Sequence, residues 1–236
     1  MKRSPRAGVT LVELLVAVTL FALLSVGMLY AFRIGLMAYQ KTQAKLMDSR
    51  RIAGAQRILL QELQNMVPVV AECNSGAEGG GPKVPFFQGE ENTMRLVSTF
   101  SLQGASRGMT QILEIFVAPG EEGEGVRLLV NEIPYAGPRA AGQFCTGPGQ
   151  YRPPSAFAKS FILADRLAYC RFSYQRVPLD IVPERLWVPR FLANTWPHAI
   201  RIEMAPLRPE SASLQPISVT ALIRVHRNPE VQYGDF

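Results

Sequence analysis

Histidine is nearly absent. The chain of 236 residues holds two, His198 and His226. Each stands alone at the edge of a strand-like run, in basic or proline-rich text, so neither forms a proton-transfer pair with a nucleophile. No G-x-S-x-G turn is present, which excludes a nucleophile elbow. Cysteine is scarce: Cys73, Cys145 and Cys170 are the full set. No C-x-x-C or Cys/His cluster supplies the ligand spacing of a zinc site. Gly76 and Gly81 have the separation of a phosphate-binding loop, but Pro82 stands where that loop requires lysine. Glu121, Glu122 and Glu124 crowd one turn without the ligand spacing of a calcium loop, and read as a solvated hairpin tip. The expectation is a protein with no catalytic residues, no metal and no cofactor.

Charge is absent from Leu14 to Phe32. That stretch alone nearly suffices to cross a bilayer, at about 20 residues per crossing. The apolar run begins earlier, at Val9, and contains one carboxylate, Glu13. An acid in hydrocarbon is costly and marks a functional position by default. A basic leader with Lys2, Arg3 and Arg6, and no acid, precedes the run and ends at Gly8. A secretory signal peptide has an apolar region of roughly 7–15 residues closed by an A-x-A-like site; this run is longer and has no such site. A plain membrane anchor explains the length but neither Glu13 nor the Gly8 boundary.

Bulk composition adds two limits. Hydrophobic residues make up 47% of the chain, enough for a packed core. The formal charge is +6, and three of the bases lie in the leader. Without it the balance falls to about +3, which gives no footing for nucleic-acid binding.

Leader, glycine, apolar helix and acid, in the order GVTLVELLVAVTLFALL, resemble the type IV prepilin signature. That family polymerises this helix into pilus-like fibres. The resemblance implies that prepilin peptidase cuts the Gly8–Val9 bond and that the new Val9 amine is N-methylated. Glycine at position 8 presents no side chain to obstruct a peptidase gripping the backbone at the membrane face. The family's usual first mature residue is phenylalanine, and Val9 departs from it while remaining hydrophobic. Glu13 becomes the fifth mature residue, whose carboxylate in the family faces the N-terminal amine of a neighbouring subunit. Such pairing offsets the cost of two ions in an apolar setting.

Orientation is contested by charge alone. Lys2, Arg3 and Arg6 argue for a cytoplasmic leader, but Arg33, Lys41, Lys45, Arg50 and Arg51 follow the run on its other side. The resemblance implies the first arrangement: a single-pass protein of the bacterial inner membrane with its C-terminal domain in the periplasm. In an oxidising compartment the three cysteines allow two states. One is a Cys73–Cys145 disulfide with Cys170 as a small buried hydrophobe; the other is three unpaired thiols.

Proline is absent from Arg33 to Met66, where only Gly35 and Gly54 interrupt. Leu36, Tyr39, Leu46, Ile52, Leu59, Leu63 and Met66 recur at roughly helical spacing, and Pro68 marks a stop. The resemblance implies a leader at 1–8, and the spacing predicts one long helix at 9–67 with its membrane part at 9–32, followed by a β-rich head at 68–236. Within the head, 94–100 alternates, and 111–118 and 125–132 flank the turn PGEEGE as a hairpin. Residues 159–176 offer one long strand or two, and 198–204 with 217–225 make a second hairpin. Segments 74–92 and 136–156, rich in glycine and proline, read as long surface loops. The fold class is α+β, a long N-terminal helix on a mainly antiparallel sheet.

Three local features are similar to the J-type minor pseudopilins of type II secretion. They are the run AVTLFALL, the strand pattern of Leu167, Cys170, Phe172 and Tyr174, and the Trp196–Pro197 lead into a strand. That resemblance implies a subunit near the tip of a pseudopilus. Its partners would be other minor and major pseudopilins, prepilin peptidase as processing enzyme, and inner-membrane lipid. Minor pilins of type IV pili or DNA-uptake machines share the layout. An enzyme or binding domain on an anchor is the reading from a different class.

Overall fold

The computed structural model describes residues 10–73, 81–101, 106–147, 150–176, 186–191, 195–207 and 216–224, with the side chains of 44–53, 106, 107 and 122 left aside. Two compact units result, residues 1–50 and 51–236. Helix α1, Leu11–Gln64, contributes to both.

The second unit is built on strands. In chain order these are β1 (Val70–Glu72), β2 (Lys83–Pro85), β3 (Gln88–Gly89), β4 (Thr93–Ser101), β5 (Ser106–Pro119) and β6 (Val126–Pro134). A short helix α2 (Pro138–Gly142) follows, then β7 (Cys145–Gly147), β8 (Gln150–Tyr151), β9 (Phe161–Gln175), β10 (Trp187–Val188), β11 (Ala199–Pro206) and β12 (Ile217–Leu222). The main sheet runs β12-β11-β9-β6-β5-β4-β3, with β10 also on β9, and every pairing is antiparallel. This is the α+β arrangement expected from the sequence.

Both expected hairpins form. β5 and β6 pair from Gln111↔Pro134 to Pro119↔Val126, and β11 and β12 pair from Ala199↔Leu222 to Met204↔Ile217. At the first turn, Gly125 has φ +65°, and a Cβ there would stand 2.4 Å from the Leu167 carbonyl oxygen. Glycine is required on both counts. The stretch 159–176 proves to be one strand with three partners, β6, β11 and, at its end, β10. Arg166 takes φ 53°, so the strand bends. Its first half pairs with β6 and its second with β11.

The sheet buries both faces over β4–β6. One face carries Met94, Leu96, Leu113, Ile115, Leu128 and Val130, clustered with Ala55, Leu59 and Leu63 of α1. The alternate positions Val97 and Ile112 cluster with Val69, Ala71, Phe86, Ala141 and Phe144. That second cluster corrects the expected surface loops. Residues 81–89 and 138–151 hold β2, β3, α2, β7 and β8, and Phe86, Phe87 and Phe144 are buried. Glycine and proline marked chain reversals there, while the apolar residues between them point inward. Residues 74–80 lie outside the described residues. α1 also ends at Gln64 rather than Val67. Met66 bridges Ser98, and the Val67 amide donates to the Val97 carbonyl at 2.8 Å, so the chain leaves the helix to join the sheet before Pro68 is reached.

Cys73, just after β1, is joined to Cys145 of β7, with Cα atoms 5.4 Å apart and a sequence separation of 72. In the chain-entropy model a loop of this length gives roughly 4 kcal/mol. Cys170 is a buried free thiol. Burial pushes its pKa up to about 12, so it is inert at neutral pH.

One acid is buried on the helix side of the sheet. Glu62 of α1 is 1% exposed, and neither carboxylate oxygen has a hydrogen-bond partner of normal geometry. Burial raises its pKa from 4.5 to about 7, with Ser98 opposing the rise and the Glu132 carboxylate adding to it. The folded state therefore holds a proton that the unfolded chain releases near pH 4.5. The stabilisation is complete below that pH and is lost as pH rises through about 7. Urea unfolding at pH 5 and pH 8 is expected to show a loss on the order of 2 kcal/mol for the native protein. In Glu62→Gln that difference is expected largely to vanish.

Candidate functional site

The first unit contains the candidate site. Gly8 and Val9, the expected cleavage junction and methylation position, lie outside the described residues. The first described residue, Thr10, caps α1. Its backbone amide and its hydroxyl both donate to Glu13 Oε2 at 3.3 Å, and the Glu13 amide donates to the Thr10 hydroxyl at 3.3 Å. This is a reciprocal capping box, T-x-x-E, which satisfies amide groups that have no partner within a helix. The carboxylate also lies in the first turn, where the helix dipole favours negative charge. The spacing Thr10-Leu11-Val12-Glu13 carried that signal, and the sequence reading passed over it. Glu13 thus has a local role that any role between subunits must coexist with.

Beyond the cap the helix is apolar on all sides. Within Leu11–Gln43 the most apolar 18-residue stretch has a mean hydropathy of 2.4 and no buried part, and the segment is long and apolar enough to cross a membrane. Leu11 is 80% exposed, Phe21 73% and Met28 78%. Polar side chains on it turn back onto their own helix. Thr19 donates to the Val16 carbonyl at 2.9 Å, Ser25 to that of Phe21 at 2.8 Å, and Thr42 to that of Ala38 at 2.8 Å. A hydroxyl satisfied this way makes no demand on its surroundings, as hydrocarbon requires.

Leu36 and Tyr39 are exposed, whereas Leu59, Leu63 and Met66 are buried in the second unit. The apolar spacing read from the sequence therefore covers two environments. Leu46 and Ile52 are among the residues whose side chains are not described.

The remaining polar positions offer little chemistry. Glu121 accepts from Arg127 at 3.4 Å at the exposed hairpin tip, and Glu122 and Glu124 flank it there. The His198 amide donates to the Gln175 carbonyl at 2.9 Å, extending the edge of β11, and His226 lies outside the described residues. No group of three or more His, Cys, Asp or Glu placed to hold a metal occurs among the described residues.

Residues 3–29 match the family model for the prokaryotic N-terminal methylation motif. The matched stretch spans the Gly8–Val9 junction, the cap and Glu13. No curated protein matches the chain. The protein therefore carries a type IV prepilin-like N-terminus on one apolar helix, followed by an antiparallel head.

Substitution at Glu13 separates the observed cap from the expected pairing between subunits. Glu13→Gln keeps an acceptor for the cap but removes the charge; Glu13→Ala removes both. If charge pairing with another subunit matters, both variants are expected to lower recovery of the protein in assembled fibres to a similar degree. If the cap matters alone, Glu13→Gln is expected to assemble as the native chain does. Quantifying the subunit in sheared fibre fractions distinguishes the two.

Proposed function

We propose that this protein is a non-enzymatic minor pseudopilin of a type II secretion system, placed at or near the tip of the periplasmic pseudopilus. The observation that supports this most is the prepilin-type motif at residues 3–29 on a chain whose head extends over about 170 residues, large for a major subunit. In this reading residues 1–8 are the leader, the assembly helix runs from 9 to its end at Gln64 with its membrane part at 9–32, and the periplasmic head follows to 236. Prepilin peptidase cuts between Gly8 and Val9, and the Val9 amine is methylated. The helix then leaves lipid to lie beside the helices of other minor and major pseudopilins, where Glu13 meets a neighbouring Val9-type amine. No cofactor and no nucleic acid takes part.

The strand pattern around Cys170, Phe172 and Tyr174 and the Trp196–Pro197 lead favour the secretion reading over its rival, a minor pilin of a type IV pilus or DNA-uptake machine. Deleting the gene in its host separates them. A secretion subunit is expected to leave exoprotein trapped in the periplasm while twitching and transformation stay normal; the reverse pattern assigns it to a pilus. A membrane-anchored enzyme would disturb neither through loss of leader cleavage. For the native protein, intact-mass analysis is expected to find Val9 as a methylated N-terminus, and Gly8→Glu is expected to retain Met1–Gly8. A native chain that keeps its leader in cells with active prepilin peptidase contradicts the proposal.

A further inference from the structure

The sheet face opposite α1 hides a charge that the fold does not otherwise need. Arg95 of β4 is 1% exposed. Its Nε and Nη2 donate to Glu114 Oε1 of β5 at 3.0 and 2.6 Å. Nη2 also donates to the Arg152 carbonyl at 2.8 Å, and Nη1 donates to Gln88 Oε1. The guanidinium carbon sits 5.0 Å from the Phe144 ring centre and 5.6 Å from that of Tyr151. Glu114 is held in turn by Asn131 at 2.8 Å, and Asn131 reaches the Ser155 carbonyl and the Ser160 hydroxyl.

These partners come from two separate arms of chain. Gln88 lies on the first, which leaves α1 and holds β1 to β3. Phe144, Tyr151 and Arg152 lie on the second, which follows β6 and holds α2, β7 and β8. The arms meet over Arg95: Phe86 of the first contacts the Phe144 and Tyr151 rings at 6.1 and 5.8 Å. The Tyr151 hydroxyl donates to the Pro85 carbonyl at 3.2 Å. One covalent bond ties them, Cys73–Cys145, and Cys145 is next in sequence to Phe144.

A buried ion pair gains little over water, because desolvation consumes most of its attraction. Opening the arms returns Arg95 and Glu114 to water and recovers that solvation. The closed lobe is thus opposed from within by the very charges it covers, and the cross-link stands against that opening. We propose that the Cys73–Cys145 bond is a latch that holds the two arms shut over the Arg95–Glu114 pair, so that reduction opens this lobe while the rest of the head stays folded. Closure transfers two electrons and two protons from the Cys73 and Cys145 thiols to an external disulfide, R–S–S–R, which leaves as two R–SH. Reduction by a dithiol runs the same exchange backwards. That a head would latch only after export rests on the function proposed above; the latch itself does not.

Cys170 supplies an internal control, since it is buried on the α1 side of the sheet in the other cluster. The full chain in detergent micelles is reduced with dithiothreitol under native conditions and treated with iodoacetamide, and each cysteine is followed by peptide mass. Cys73, buried in the closed lobe, is expected to be labelled while Cys170 is not; Cys145 is only half-buried and reacts whether the lobe is open or shut. In the variant Arg95→Met with Glu114→Leu, which removes both charges and leaves Gln88 with Glu90 and Asn131 with Ser155 and Ser160, labelling is expected to slow about tenfold or more. Protection of Cys73 equal to that of Cys170 in the reduced native chain overturns the latch, because the lobe then stays shut without it. Labelling of all three together overturns it as well, because the lobe is then no separate unit. Equal labelling rates in native and variant chains remove the ion pair from the account. Should the variant fail to fold, hydrogen exchange on the native chain decides. Reduction is expected to raise exchange in residues 83–89 and 143–152 and to leave β9 and β11 unchanged, and uniform exchange in both states rejects the proposal.

Discussion

An apolar surface that the chain does not cover governs the N-terminal unit. From Leu14 to Phe32 the helix presents leucine, valine and phenylalanine without a charge, and its most apolar stretch has no buried part. Apolar area left in water costs about 25 cal/mol per Å², so such a helix requires either lipid or other helices. The remaining features of the segment follow from that requirement. Charge is excluded from Leu14 to Phe32, and Thr19, Ser25 and Thr42 satisfy themselves on their own turns. The one acid sits where the helix amides have no partners and can be capped. A helix content with either apolar environment can pass from lipid to a fibre of its own kind.

The second unit solves a different problem. Its sheet has two faces to bury over β4–β6. One is covered by Leu59, Leu63 and Met66, the other by two arms joined through a disulfide. Each cover hides an ionisable group. Glu62, on the helix itself, is buried beside Ser98 and Glu132, while Arg95 lies under the arms with each guanidinium nitrogen engaged by Glu114, Gln88 or Arg152. The first makes stability depend on pH; the second is covered by the lobe whose disulfide is the proposed latch.

Sequence patterns conveyed the strands, the hairpins and the apolar helix because each has a local signature: period-two alternation, a glycine turn, a long uncharged run. Gly125, directly after PGEEGE, is legible as a turn glycine, and its φ of +65° is such a turn requirement. Arg95 and Glu114 were not legible. Each is a single charge inside an apolar strand, and only the register Arg95↔Glu114 between β4 and β5 turns two anomalies into one pair. The buried arms at 83–89 and 138–151 were read as surface loops because glycine and proline report chain reversal and say nothing about what Phe86 and Phe144 pack on. Nothing local in the sequence marks Glu62, because its burial comes from packing against strands distant in sequence, where Ser98 and Glu132 neighbour it.

The central claim is that the N-terminal helix is shared between lipid and other subunits. A photo-activated cross-linker placed at Leu20, in cells with and without active prepilin peptidase, tests it most directly. The account predicts adducts to the N-terminal helix of another prepilin-type subunit when the peptidase is active, and lipid adducts alone when it is not. Lipid adducts alone in both strains would contradict it and leave the helix a simple anchor.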